Sequence, residues 1–344
     1  MTGAPARRGS RLMAVGFALT ATSGLLFASD AEGIVERAAR TMQADWAATP
    51  GYAFIQRDAS LRGGKRVVRT HQVVMIADSD YYLLVAVDDK LIPPEQRRLE
   101  LLKLQAEIEK RSREDSEARR RRSETYRKQR EQNGALLLEF PKAFRFELIR
   151  EERSGGSPSF LLAATPRPGY QPPNRTARIL TGMRGQLLIE GSGFHWVCTE
   201  ATIMRAVPIF GFLAKVLPGT QFELEMAPVA GSVWLASRFR LQLTASRFWF
   251  KTTQTIETTY SEYRPNGEVI QELLRELADG SIRAEPAHSH ADRVNRSREP
   301  KESNWKPDCK LRITNRDKGG NYGVHVNNGL GNPGFRCDRP GAVS

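Results

Sequence analysis

The chain has 344 residues, a formal net charge of +13 and only three cysteines, with hydrophobic residues making up 40%. Three cysteines exclude a disulfide framework, and the length allows a sizeable core. The charge invites a nucleic-acid role, but the excess sits in appendages: residues 95–131 carry 13 basic and 9 acidic side chains, and residues 285–344 carry 11 and 7. The remaining body is close to neutral and lacks the basic face of a nucleic-acid footprint.

In chain order, Arg7, Arg8 and Arg11 precede an apolar run from Leu12 to Phe27, and Ser29 and Ala31 supply small residues. This predicts a cleavable secretory signal over residues 1–31, cut after Ala31 or, as second choice, after Ala28. The expected location is periplasmic or otherwise extracytoplasmic. Ile34, Ala38, Met42 and Trp46 then fall at four-residue spacing, an amphipathic helix with one apolar stripe. From Gly51 the period switches to two, through "YAFIQRDASL", "KRVVRTHQVVMIA" and "DYYLLVAVDD", which read as strands.

A long connection follows over residues 95–133. Glu107→Arg111, Glu109→Arg113, Asp115→Arg119, Glu117→Arg121 and Glu124→Lys128 place acids one turn before bases, each contributing about 0.2–0.5 kcal/mol to a helix. Gln132-Asn133-Gly134 reads as its stop. Leu101, Leu104 and Ile108 let the first half dock. Beyond Ile108 no apolar stripe remains, so the second half, with its four-arginine run "EARRRRSETYRKQR", is expected to project into water. Its residual positive charge makes an anionic membrane surface or an envelope partner protein the candidate contact.

The later strand patterns pair Phe144, Phe146 and Leu148 against Arg145 and Glu147, and Phe239, Leu241 and Leu243 against Arg240 and Gln242. About ten strands in succession, without helices of crossover length, predict an α+β, mostly antiparallel β fold. The sheet is expected to form a curved, unclosed β-barrel with an N-terminal helix and a charged helical insertion. The β domain spans 32–284, and 285–344 reads as a basic, low-order tail. Cys309 and Cys337 lie in that tail, placed to pair in an oxidising compartment, whereas Cys198 reads as a buried thiol.

A catalytic constellation does not emerge: the zinc-protease, nucleophile-elbow and phosphate-loop patterns are missing. His195 lacks a marked partner, and its odd offset from Cys198 points the two side chains to opposite strand faces. No catalytic residue, cofactor or metal is expected. The chemistry that rises above background is apolar. Between two prolines, residues 206–219 hold Ile209, Phe210, Phe212 and Leu213, a short buried helix or a lid. Phe144, Phe146, Trp196, Phe222, Leu224, Trp234, Phe239 and Leu241 supply a candidate lining for an apolar cavity.

The signal, the N-terminal helix and the run of long strands, above all "LPGTQFELEMAPVAGSVWLASRFRLQLTASRFWFKTTQTIETTYSEYR" from Leu217 to Arg264, resemble periplasmic lipoprotein carriers of the LolA/LolB-like outer-membrane lipoprotein-sorting family. The resemblance covers roughly Glu32 to Arg264. It implies a half-barrel that holds lipid or acylated lipoprotein chains without catalysis. The charged insertion departs from the compact carriers and leaves an envelope adaptor as the alternative.

Overall fold

The computed structural model describes residues 23–154, 157–208, 214–247 and 250–280. The chain opens with helix α1 (Ser23–Ala48), then strands β1 (Tyr52–Arg62), β2 (Lys65–Ile76), β3 (Ser79–Val87) and β4 (Lys90–Leu91). Helices α2 (Pro94–Ser112) and α3 (Ser116–Ala143) come next, followed by β5 (Phe144–Ser154) and β6 (Ser157–Pro166). A short 3-10 helix (Ala177–Gly182) precedes β7 (Met183–Glu190), β8 (Trp196–Ile203), β9 (Val207–Pro208) and β10 (Ala214–Val216). Strands β11 (Gln221–Ala230), β12 (Val233–Arg247) and β13 (Phe250–Pro265) lead into helix α4 (Asn266–Asp279).

All strands join one sheet in the order β4-β3-β2-β1-β13-β12-β11-β8-β7-β6-β5, with β9 and β10 attached along β12. Every pairing is antiparallel. Among the described residues β4 and β5 do not pair with each other, so the half-barrel stays unclosed. It is the expected fold class.

Helices cover both faces. On the concave side Ala31, Ile34, Val35, Ala38 and Met42 of α1 join Phe140, Phe144, Phe146, Leu162, Leu187 and Trp196 in the main core cluster. Burying Ile34, Val35 and Met42 contributes on the order of 1.5–3 kcal/mol each. On the other face Val74 and Ile76 of β2 and Leu83 of β3 pack with Leu101 and Leu104 of α2 and Val269 and Leu273 of α4. The period of two therefore splits β2 cleanly, with Val74 and Ile76 under α2 and α4 and Val73 and Met75 facing inward.

The insertion departs from expectation in three ways. First, it is two helices: the helical path breaks at Arg113–Asp115, and the Asp115 carboxylate caps α3 by accepting from the Ala118 N–H at 2.7 Å, so Arg119 turns to Asp78 instead (2.9 Å). Second, α3 does not stop at Gly134 but runs to Ala143, because Leu136, Leu137 and Phe140 pack onto the main core. Third, α3 folds back over the sheet rather than projecting into water.

Arginines hold it there. Arg111 is buried and donates through Nη1 to the Ile76 carbonyl (3.0 Å), the Ser79 carbonyl (3.1 Å) and Ser79 Oγ (2.8 Å). Arg122 donates to the Ala77 carbonyl (2.6 Å) and Ser79 Oγ (2.7 Å) while gripping Glu114 with its guanidinium fork. Their target is the tight β2–β3 turn, where Ala77 and Asp78 both take positive φ (42° and 71°), as a two-residue hairpin loop demands.

Residues 206–219 are not a helix at their described ends: β9 and β10 pair as Val207↔Val216 and Pro208↔Lys215, and Val207 and Val216 are buried with Ile203. Residues 209–213, the leader up to Thr22, and the tail with Cys309 and Cys337 lie outside the described residues. Cys198 is buried and disulfide-bonded, which corrects its reading as a buried thiol.

Candidate functional site

The concave face does not fill completely. Under α1 and α3 it leaves a cavity of about 320 Å3, within the range of small-ligand sites. Helix α1 contributes Met42 and Trp46, one turn apart; β1 adds Phe54, β2 adds Val73 and Met75, and β11 adds Leu224 and Met226. Gln56, Asp80, Tyr82 and Gln129 make one part of the wall polar. The lining suits an amphiphile better than a pure hydrocarbon.

Aromatic side chains stiffen the floor. Phe54 lies 5.9 Å from Tyr260 and 5.2 Å from Tyr263, centroid to centroid. Both tyrosines line the cavity although they are three residues apart on β13. A β-bulge makes this possible: the β1–β13 register shifts between Ala53↔Arg264 and Ile55↔Ser261, and Glu262 takes φ 54°. The extra residue resets the alternation. Burial, aided by Asp58, pushes the Tyr260 phenol up to about 12. Burial also raises Tyr263 and Tyr82, the latter with help from Asp80.

Trp46, Tyr126, Arg130 and Leu137 border both this cavity and a wider groove of about 720 Å3 between α1 and α3. The Arg130 guanidinium lies 4.7 Å over the Trp46 ring and donates to the Trp46 carbonyl. It also reaches the Tyr126 hydroxyl at 3.5 Å, and that hydroxyl meets Met75 Sδ at 3.6 Å. Gly134 sits against the Trp46 indole, where a Cβ would lie 3.6 Å from Nε1. Cation–π and hydrogen-bond contacts thus form a thin polar wall between cavity and groove.

The residues expected to line a cavity separate into four groups. Phe144, Phe146 and Trp196 are core: with Phe140 they form an aromatic cluster at centroid distances of 4.6–5.6 Å and are fully covered by α1 and α3. Leu224 lines the cavity. Phe222, Phe239 and Leu241 continue the apolar strip along the same face through the pairs Leu224↔Phe239 and Phe222↔Leu241, with Phe222 edge-on to Phe239 at 5.4 Å. Trp234 instead stacks on the His195 ring at 5.2 Å. Ile209, Phe210, Phe212 and Leu213 lie outside the described residues.

His195 has a partner that the sequence did not mark. Its Nδ1 lies 2.9 Å from the Asp45 carboxylate, with both side chains buried, and Asp45 also accepts the Trp234 N–H at 3.2 Å. Thr41 adds a hydrogen bond to the Gly193 carbonyl (2.9 Å). These contacts latch the end of α1 to the β7–β8 loop and to β12. The odd-offset rule for His195 and Cys198 does not hold, because the register shifts between Ile189↔Trp196 and Leu188↔Cys198. Cys198 is disulfide-bonded and offers no thiolate. Among the described residues no cluster of three or more metal-ligating side chains occurs.

The cavity's makers were only partly visible beforehand. Met42 and Trp46 stood in the helical stripe. Tyr263 was hidden by the bulge, and Tyr126 and Arg130 by a helix that looked solvated; their one signal is that Tyr126, Arg130 and Leu137 recur at helical spacing along α3.

No family model matches the chain, and no curated protein matches it. Solved structures do. A LolA superfamily protein from Nitrosomonas europaea is 10% identical, with 68% of this chain and 92% of that one covered, at a TM-score of 0.26. A DUF1329 family protein from Desulfovibrio piger is 11% identical over 69% and 93%, at 0.28. A domain described as an outer membrane lipoprotein-sorting protein from Vibrio parahaemolyticus is 10% identical over 69% and 99%, at 0.26. At these identities and TM-scores the likeness carries nothing about ligand or partner.

Proposed function

We propose that this protein is an exported, non-catalytic carrier that holds an acyl chain of a lipid or acylated lipoprotein in the cavity beneath α1 and α3. The observation that carries this reading is the cavity itself: about 320 Å3, framed by Met42, Trp46, Phe54, Val73, Leu224 and Met226 on the concave face. Apolar burial supplies the affinity, and a volume near the lower end for ligand sites argues for one chain rather than several. The polar wall at Asp80 and Tyr82 leaves room for an ester or amide at the chain's head.

Mass spectrometry of an organic extract from protein purified out of the cell envelope tests this. Lipid in stoichiometric amount is expected, falling several-fold in a cavity-filled Ala236→Phe, Leu224→Trp variant that keeps its thermal midpoint. An unchanged lipid yield from that variant would defeat the proposal. Export adds a second test. Ala31 is fully buried in the main core, so removal of the leader after Ala28 leaves the core intact where a cut after Ala31 does not. N-terminal sequencing of the exported chain is expected to begin at Ser29. No helix among the described residues is long and apolar enough to cross a membrane.

A further inference from the structure

We propose that the cavity selects a zwitterionic head, a phosphate joined by a short linker to an ammonium group, with Arg130 taking the phosphate and Asp80 the ammonium. The inference rests on the acyl-carrier reading and names its lipid class. Among the described residues that line the cavity, Asp80 and Arg130 are the two charged side chains. Asp80 lies on β3 and Arg130 on α3, and Tyr126 links them. Burial raises the Tyr126 phenol, Arg130 draws it back down and Asp80 pushes it up, so both charges act on one hydroxyl. Arg130 reaches that hydroxyl at 3.5 Å.

Neither charge is neutralised among the described residues. The neighbouring charges pair elsewhere: Arg119 with Asp78 at 2.9 Å, Arg122 with Glu114 at 2.8 Å and Arg127 with Glu131 at 3.6 Å. Arg130 contacts uncharged groups, the Trp46 ring and carbonyl. The partner of Asp80 is the Tyr82 phenol, which burial first and Asp80 second hold in its neutral form. Half-buried charges beside an apolar cavity carry a desolvation cost that ligand charges of opposite sign offset. A purely anionic head would be repelled by Asp80 and a purely cationic one by Arg130; an uncharged head would leave both without a counter-charge. A phosphate accepts from the remaining N–H groups of the guanidinium. An ammonium group donates to the Asp80 carboxylate, with the Tyr82 and Tyr126 rings beside it. Sheet order sets the direction. Leu224 and Met226 of β11 and Leu235 of β12 make the far end apolar. Strands β3 and β11 stand five spacings apart, about 24 Å along the curved sheet. The chain therefore points to β11 and the head to β3, and the groove that shares Arg130 gives the outer part of the head room.

Displacement of a fluorescent fatty-acyl probe from the full mature chain tests it, using three single-chain competitors of equal acyl length. These are lysophosphatidylethanolamine, lysophosphatidylglycerol and a monoacylglycerol: zwitterionic, anionic and uncharged. The zwitterion is expected to bind about tenfold more tightly than either of the others, the worth of one charged hydrogen bond. Asp80→Asn should reverse the order of the two phospholipids, weakening the zwitterion about tenfold and strengthening the anion. Arg130→Gln should lower both phospholipids about tenfold relative to the monoacylglycerol. Each ratio is taken within one variant, so a loss of folded protein cancels. Equal affinity for all three competitors overturns the headgroup inference and leaves acyl carriage standing. A preference for the anion in the unmodified chain also overturns it, as does an Asp80→Asn effect that lowers all three alike. Failure of every competitor to displace the probe overturns the inference and the carrier reading together.

Discussion

Two arginine- and lysine-rich regions of this protein look alike in sequence and behave in opposite ways. The run Arg119–Arg122 on α3 is the densest cluster of positive charge in the chain, yet most of it is consumed internally: Arg119 on Asp78, Arg121 on Glu117, and Arg122 on Glu114 and the β2–β3 turn. The ends of β1 and β2 and the short stretches of β10 and β13 hold fewer cations, and leave Arg62, Lys65, Lys215 and Lys251 exposed and without ion pairs among the described residues. Charge density along the chain measures composition. Available charge depends on what folding brings within 4 Å.

The comparison can be broken most severely at the buried end of the insertion. Arg111→Ala removes three hydrogen bonds from the β2–β3 turn and leaves Glu107 without its 2.7 Å partner; a loss of about 3 kcal/mol is expected in urea unfolding. A loss below about 0.5 kcal/mol would mean that the arginines decorate the insertion rather than clamp it.

The next effect is at alkaline pH. The half-buried Tyr260 is neutral in the folded state, with its pKa raised from 10.0 to about 12. Its contribution is complete below the unfolded value and lost as pH rises from about 10 through 12, up to about 2 kcal/mol. Tyr260→Phe should flatten that limb of a pH–stability curve measured by urea unfolding.

Acid titration probes the clamp more gently. Burial works against the Glu107 carboxylate, but Arg111 and Lys110 overcome it and hold its pKa below the ordinary range. The stability from this pair is therefore present above about pH 4.3 and lost as pH falls below it. In Arg111→Ala that acid-dependent part should disappear. The smallest effect belongs to Arg120, which faces the outer groove: Arg120→Gln should change stability by less than about 0.5 kcal/mol, against the large loss at Arg111 nine residues earlier.

Much of the fold was legible because periodicity reports burial directly. The stripe of α1 and the alternation of β2, β11 and β12 follow from a face that must leave water. The site was less legible. Tyr263 reaches the cavity through a bulge at Glu262, and a single extra residue reverses side-chain parity without leaving a mark in composition. Phe144, Phe146 and Trp196 were readable as apolar but not as core rather than lining, since that depends on whether a helix covers them. The helix that does so, the end of α3, was hidden by Gly134, whose stop signal is overridden once Leu136, Leu137 and Phe140 find the core.

By itself, then, the sequence determined the antiparallel, helix-flanked architecture and the position of the charged insertion, because local period and composition decide which faces seek burial. Only the tertiary structure decided that the four-arginine run packs back against the β2–β3 turn, so that the later turns of α3, with Tyr126, Gln129 and Arg130, roof a cavity. The physical reason is that an arginine's role rests on its partners. Here these are a turn carbonyl, a serine hydroxyl and carboxylates at Asp78, Glu114 and Glu117. Of these only Glu117 is a one-turn neighbour along the helix; folding brings the rest into reach.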